Sequence, residues 1–548
     1  MKKYLLILFL VSFLFSCSNG LLQKEKDLNE MNQVEKAFFG YDEDKVYDSS
    51  INIKVQAFND EELDRFILSL KKLNVKEIAR DSGFREGEMY LTIKVFGNYP
   101  ETLKKIRQMK DVFYAEPNYK LKIDSYVEDS RSEILKPFGL LEGDLESDLV
   151  ADKKEYALAI TKALDAYKEF GYGSHQVWVG IVDTGTNAKH EDLVYEGGTK
   201  VVQILKTAFG VNTDVPSENS DINEEIGHGT HCTGTICAVG NNNKGIAGVA
   251  WKNVKFASYK GIRNGKGSDY SIYGSLRNLV DAVRAHVSQE EQATVPVNLS
   301  LGGLMAGNYS LEQLNYALSK GILPIAANGN EGQFLPSYPA AFPGVLTVGA
   351  TDAKDLKAGF STSGSWLNVV APGQNIISLH NKQNDGYLYM SGTSMATPFV
   401  TGLVAYLLSF DPKLTPNQII TILEKTADKI DHTNQDITGK YDEDGFSHWY
   451  GYGRVNVYEA AKMVTKGQIP PKGERYIETV LRIETRYAGF PVYIYDKKTG
   501  VLVTMVLTYG QPIGAEVRGL RAGTYKVVFR GKSQEVNIGN DKDIAIKF

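Results

Sequence analysis

The sequence predicts an α/β protein built on an open, mostly parallel sheet with helices on both faces, preceded by a small α+β domain and followed by a small β-domain. Three observations carry this prediction. Between Glu155 and Val464, near-continuous apolar runs alternate with helical repeats, which is how strands buried on both faces read. Upstream, from Ile51 to Ile123, two strand-helix-strand sets follow one another in about 75 residues. Beyond Pro470 and Pro471 the apolar period falls to two, as half-buried antiparallel strands require.

A chain of 548 residues is too long for one ordinary core and divides into about three domains. Its formal charge of −5 gives no electrostatic footprint for nucleic acid, and no P-loop pattern occurs, so nucleotide chemistry is excluded and no nucleic-acid partner is expected.

The chain opens "MKKYLLILFLVSFLFSCSNG", where Lys2 and Lys3 precede an apolar run from Tyr4 to Phe15 that is too short to span a bilayer. Residues 1–16 read as a secretory signal. The run Leu14, Phe15, Ser16, Cys17 resembles the lipobox of bacterial lipoproteins, which implies acylation of Cys17, membrane attachment and a place in the cell envelope or outer membrane. The alternative is an ordinary signal with an incidental cysteine, Phe15 being bulkier than the usual residue there. Cys232 and Cys237 fall in one helical segment on different faces, so they are expected as buried small groups without a disulfide.

"INIKVQAF" at Ile51 alternates as a strand, and Leu63, Phe66, Ile67, Leu70 and Leu73 then share a helical face. "MYLTIKVF" from Met89, a helix through Leu103, Ile106 and Met109, and "VFYAEPNYKLKI" from Val112 complete a domain with its core at 50–123. Residues 124–154 are acidic and aperiodic and read as an exposed linker. From 155 to 466, Val177–Val182, Val254–Tyr259, Val295–Leu301 and Ile322–Ala327 read as buried strands, with amphipathic helices through Leu276, Leu279, Val280 and Val283 and through Leu311, Leu314 and Leu318. Reactive groups of such a sheet collect at the carboxyl ends of its strands. From 472 to 548, "FPVYIYD", "VLVTMVL", "TYKVVF" and "DIAIKF" form the last domain.

The stretch "DGYLYMSGTSMATPFVTGLVAYLLSF" sets Ser394 just before a long apolar helix. Ser391, Thr393 and Ser394 could each cap that helix. The other reading is catalytic, because unpaired N–H groups and the dipole at a helix start favour a developing oxyanion. Asp183 ends an apolar strand in "GIVDTGTNAKHEDL", and His228 opens a helical segment in "GHGTHCTGTI".

With "AANGNEG" around Asn330 and "GTSMATPFVTG" around Ser394, these motifs resemble the subtilisin-like serine proteases, the subtilases, from about Lys162 to Met463. The resemblance supplies the order Asp, His, Ser. It implies that Asp183 orients the imidazole, His228 is the general base, Ser394 is the nucleophile, and the Asn330 amide with the Ser394 N–H forms the oxyanion hole. It further implies that "SLGG", with Ser300, Leu301 and Gly302, is an edge on which substrate adds as a strand. The resemblance also implies that Glu331 and Ser337 border the primary side-chain pocket. A rim glutamate would favour a basic residue and a deep apolar slot Phe or Leu, a choice the sequence leaves open. His231 reads as structural. Asn328 stands where the family has a smaller residue, next to that pocket.

No cofactor is needed for such catalysis. "VGNNNKGIAGVA" from Val239 resembles the family's calcium loop, with Asn242 and Asp192 as side-chain ligands of a structural Ca²⁺, although an asparagine-rich turn needs no metal. The acidic stretch from Asp436 reads as a solvated loop. "VFYAEPNY" resembles the last strand of subtilase propeptides, so residues 17–123 are expected as a ferredoxin-like propeptide that serves as intramolecular inhibitor, with processing inside 124–154. The reading is thus an exported, zymogen-made endopeptidase acting on proteins or peptides and released if the anchor stays with the propeptide. The competing reading is an inactive surface-binding scaffold of the same fold. An α/β-hydrolase is disfavoured, since no G-x-S-x-G elbow surrounds Ser394.

Overall fold

The computed structural model describes residues 46–80, 87–123, 126–127, 156–195, 198–199, 201–205, 224, 227–242, 244–305, 307–332, 336–430, 441–471, 480–487, 490–498, 500, 502–508, 514–518, 520, 523–539 and 543–548. The signal and Cys17 lie outside the described residues, as do 124–125 and 128–154 of the linker, Glu155, and the first part of the acidic stretch from Asp436.

Seven strands form the central sheet, in the spatial order Val369–Pro372, Leu346–Thr351, Ile322–Ala327, Val295–Leu299, Val177–Asp183, Val254–Lys260, Val201–Leu205. Every neighbouring pair is parallel. All residues of the Val177, Val295, Ile322 and Leu346 strands are buried, which is why they read as unbroken apolar runs. From Val177–Asp183 the chain goes first to the edge strand Val201–Leu205, returns inward to Val254–Lys260 beside the starting strand, then crosses to Val295–Leu299 on the other side. The crevice at the carboxyl ends of these strands is the switch point where ligands of open α/β sheets bind.

On one face the helix Thr393–Phe410 packs against helix His228–Cys237 and the strands Leu346–Thr351, Val295–Leu299 and Ile322–Ala327. It is long and apolar enough to cross a membrane, yet it is buried inside the protein as a core helix. On the other face helices Asp269–His286 and Asn308–Ser319 pack together. Ser268 and Ser271 close a reciprocal capping box at the start of the former.

Residues 46–123 run strand, helix, strand, strand, helix, strand: Val46–Gln56, Asp60–Leu70, Val75–Arg80, Glu88–Val95, Tyr99–Arg107 and Val112–Ile123. Asn59 and Asn98 start the two helices by accepting the N–H groups of Glu62 and Glu101. The strand order Val112, Val46, Glu88, Val75 is that of a split βαβ domain. Its sheet continues past the domain, because Val112–Ile123 also pairs with two short strands of the following α/β domain, Lys266–Ser268 and Leu301–Gly302.

The same strand caps two helices of that α/β domain. Glu116 accepts the N–H groups of Asn308 at 2.9 Å and Tyr309 at 2.8 Å, where the N-cap Gly307 has no side chain to offer. Asn118 accepts the Tyr270 N–H at 3.2 Å.

At the carboxyl end, one three-stranded sheet (Gly514–Arg518, Val480–Glu484, Asp543–Lys547) and one four-stranded sheet (Leu502–Leu507, Pro491–Asp496, Gly523–Phe529, Lys532–Ile538) make the last domain. Leu481, Ile483, Val517, Val492, Ile494, Val527 and Phe529 are among its buried apolar side chains.

Candidate active site

Asp183 is the last residue of its strand, at the crevice. The chain then turns through Gly185, whose φ of +109° suits glycine. A Cβ at Gly229 would stand 2.1 Å from the Gly185 carbonyl oxygen, so the glycines of the two motifs let the His228 helix approach the Asp183 turn. The result is a hydrogen bond of 2.8 Å between His228 Nδ1 and Asp183 Oδ1, the latter also accepting the Thr184 N–H at 2.7 Å. Both side chains are fully buried, and His228 Nε2 has no hydrogen-bond partner. Burial works against the imidazolium, but the Asp183 carboxylate and Cys232 outweigh it and hold the His228 pKa well above its ordinary value.

Ser394 lies in the first turn of Thr393–Phe410. None of the three candidate hydroxyls caps that helix: the N-cap is Gly392 without a side-chain bond, Ser391 accepts the Asn375 N–H, and Thr393 donates to Asn330. Pro398 has no N–H to give the Ser394 carbonyl four residues back. That carbonyl instead accepts from Ser300 Oγ at 2.9 Å and from Cys232 Sγ at 3.5 Å. Cys232 Sγ also lies 3.9 Å from His228 Nδ1, so one thiol touches both the base and the nucleophile's own backbone. The Ser394 hydroxyl donates to the Ser300 carbonyl at 3.1 Å rather than to His228. Asn330 Oδ1 accepts both the Thr393 N–H at 2.9 Å and its hydroxyl at 3.0 Å, which orients the amide with its NH₂ turned away from Thr393.

A buried acid on an imidazole whose second nitrogen has no partner, and a serine at a helix start, are the parts of a nucleophilic hydrolase. A subtilase family model matches residues 174–453. The chain belongs to the subtilase family. Thermitase of Thermoactinomyces vulgaris is 37% identical over 287 residues, covering 52% of this chain and 88% of that one. Subtilisin DY of Bacillus licheniformis is 35% identical over 316 residues, covering 56% and 98%. Fervidolysin from Fervidobacterium pennivorans, a keratinolytic enzyme related to subtilisin, shares the fold with a TM-score of 0.65 at 22% identity, over 92% of this chain and 78% of that chain. This subtilase is a serine endopeptidase, and its catalysis needs no cofactor.

The remaining sequence-marked residues of the subtilase fall around this pocket. Ser300 is buried against Ser394, and Leu301 and Gly302 pair antiparallel with Ile123 and Lys122. Glu331 Oε1 meets Lys122 Nζ at 3.1 Å, beside that strand. Ser337 packs by the backbone of Gly329, next to Asn330. Asn328 turns its side chain to the Trp366 indole N–H at 2.7 Å and the Thr362 carbonyl at 2.5 Å. His231 bonds the Ile376 carbonyl at 3.0 Å, and burial holds its pKa down to about 3, which suits a neutral structural group. Cys232 and Cys237 are both buried thiols, and neither is in a disulfide. The part of Cys232 beside the base was not anticipated, although its place one turn after His228 carried the signal.

Asp192 and Asn242 do come together, at 2.8 Å, but as acceptor and donor. The Asp192 carboxylate also accepts the Ile246 N–H at 2.9 Å and the Tyr387 hydroxyl at 3.0 Å. Burial pushes its pKa up to about 6. In this structure the two side chains that the resemblance assigns to a calcium ion are joined to each other and to their loop by hydrogen bonds.

The expected linker also differs from its sequence reading. Tyr126 and Val127 pair antiparallel with Ser391 and Met390, beside the nucleophile.

Proposed function

We propose that this chain is an exported endopeptidase, made as a zymogen, in which Ser394 attacks the peptide carbonyl while His228 takes its proton. Oγ bonds to the carbonyl carbon as the C–N bond breaks, and His228 returns the proton to the leaving amine. Water then hydrolyses the acyl-enzyme by the reverse use of the same base. Asp183 holds the imidazole tautomer through Nδ1. For this step the Ser394 hydroxyl turns from the Ser300 carbonyl to the open Nε2. The tetrahedral oxyanion is held by the Ser394 N–H and the Asn330 amide.

The observation that carries this reading is the 2.8 Å Asp183–His228 bond with Nε2 left unpartnered in the pocket that holds Ser394. Residues 17–123 act as the inhibitory propeptide. This is supported by the strand their domain places along the cleft and by its caps on two catalytic-domain helices. Cys17 carries the lipid that attaches the precursor to the envelope, and processing releases the enzyme from it.

Casein digestion by purified protein, with Ser394→Ala as control, tests the assignment: activity confined to the parent supports it. A processed protein with no hydrolysis would favour the scaffold reading. Metabolic labelling with a fatty acid, lost in Cys17→Ala, tests the anchor.

A further inference from the structure

Asn328 is larger than the residue its family has at this place, and no step of the reaction uses its amide. It is the first residue past the carboxyl end of strand Ile322–Ala327 and is fully buried. Its N–H prolongs the sheet by donating to the Val348 carbonyl at 3.0 Å, while its side chain bonds to the segment 360–366. Nδ2 donates to the Thr362 carbonyl at 2.5 Å, and Oδ1 accepts the Trp366 indole N–H at 2.7 Å.

Three further bonds join the same two stretches of chain. The Thr362 N–H donates to the Gly329 carbonyl at 3.0 Å, the Glu331 N–H to the Thr362 hydroxyl at 3.2 Å, and the Gly332 N–H to the Phe360 carbonyl at 2.7 Å. In the middle of this run Asn330 offers its Oδ1 to the N–H and hydroxyl of Thr393. Thr393 therefore holds the oxyanion amide by its oxygen, and residues 360–366 hold the backbone that carries it. The indole is fixed in turn. It lies over Gly364, where a Cβ would stand 2.3 Å from the ring atom Cζ2, and the Gly364 N–H is bonded to the His448 carbonyl at 3.0 Å.

We propose that Asn328 and Trp366 are positioning residues for the oxyanion hole, fixing the backbone of Gly329–Glu331 so that the Asn330 amide meets the developing charge without moving. This rests on the protease reading and on the donor role of Asn330 given above. A donor stabilises an oxyanion strongly because it does not reorganise during the reaction, so freedom in the chain that carries it costs turnover. Gly329, at a φ of +99°, supplies such freedom unless its neighbours are held. Removing the Asn328 amide takes a partner from both the Trp366 N–H and the Thr362 carbonyl. Removing the indole N–H takes a partner from the buried Asn328 Oδ1, which costs more than an exposed group would.

A double-mutant cycle on chromogenic peptides, normalised by active-site titration, tests this. Trp366→Phe, which deletes one N–H from a half-buried ring, is expected to lower kcat about three- to ten-fold, and Asn328→Ala about ten-fold or more, with KM within about two-fold. The factor is expected to be the same for peptides cut after Phe and after Lys, because the oxyanion is common to both. In an Asn330→Ala background, where the donor is gone, either substitution is expected to change kcat by less than about two-fold. The protein has four tryptophans, so ¹⁵N-indole spectra can be assigned by the resonance missing in Trp366→Phe. That resonance is expected to move in Asn328→Ala, which shows the bond broken in a folded protein. Losses that persist in full without Asn330, that fall on KM, or that differ between the two peptides would overturn the proposal and leave the protease reading standing. An unmoved indole resonance would overturn it too. A parent protein that hydrolyses no peptide would bring down the protease reading itself.

Discussion

Asn330→Ala removes the one side-chain donor assigned to the oxyanion without touching the base or nucleophile. In the folded protein the Asn330 carbonyl oxygen is fixed by two bonds from Thr393, at 2.9 and 3.0 Å, so the amide is already oriented before substrate arrives. A donor held in place for charge that develops only in the transition state affects turnover and leaves substrate affinity nearly unchanged. The expected fall in kcat is about 10²- to 10³-fold, or roughly 2.7–4 kcal/mol, a magnitude that comes from subtilisin itself. Thr393→Val removes only the hydroxyl bond to that amide. Its cost is about 1 kcal/mol, or about five-fold, if the remaining N–H bond keeps the amide in place. Steady-state kinetics on a chromogenic peptide, normalised by active-site titration, gives both parameters. A loss confined to KM in Asn330→Ala, or a larger kcat loss in Thr393→Val than in Asn330→Ala, would refute the donor role.

Three other outcomes follow from charges on the page. Catalysis needs neutral His228, and its partners hold its pKa well above the ordinary value, so activity should climb on the alkaline side of about pH 6.5; a plateau already reached at pH 6 would contradict this. Where the N-terminal domain meets the catalytic domain, burial pushes Glu116 up to about 7, against the N–H groups of Tyr309 and Asn308 and the Arg107 charge and with the Glu312 charge, while burial and the Glu116 charge hold Asp269, beside Tyr273, well above the aspartate range. Separation hydrates both carboxylates and lowers their pKa values, so association is fully favoured below about pH 4 and weakens as pH rises through about 7. Processed fragments should therefore co-elute in size exclusion at pH 5 and separate by pH 8, with the dependence reduced in Asp269→Asn; equal co-elution across this range would count against it. Asn242→Ala should lose about 1 kcal/mol of stability equally in chelator and in millimolar calcium, whereas a loss seen only with calcium would show that the loop holds the ion.

Much of the catalytic domain was legible because its signals are local. The parallel strands are buried on both faces and so announce themselves as apolar runs. The glycines at 185 and 229 flank Asp183 and His228 for a steric reason that the motifs carry in a few residues. What was not legible depends on partners far along the chain. Tyr126 and Val127 have no alternation of their own and become strand only because Ser391 and Met390, more than 260 residues away, offer an edge. Asp192 was paired with Asn242 through a local resemblance, whereas the hydroxyl of Tyr387, 195 residues on, that also donates to this carboxylate has no local signal. The Ser394 carbonyl is free for Ser300 and Cys232 because of Pro398, a consequence visible only once the helix is formed.

The central claim is that the imidazole of His228, held by Asp183, activates the hydroxyl of Ser394. A fluorophosphonate probe reports it most directly, since the probe is attacked only by a serine whose proton has somewhere to go. With processed protein, the account predicts one adduct per molecule, mapped by peptide mass spectrometry to Ser394 and lost in both Ser394→Ala and His228→Ala. An adduct on another serine, or undiminished labelling without the histidine, would contradict it.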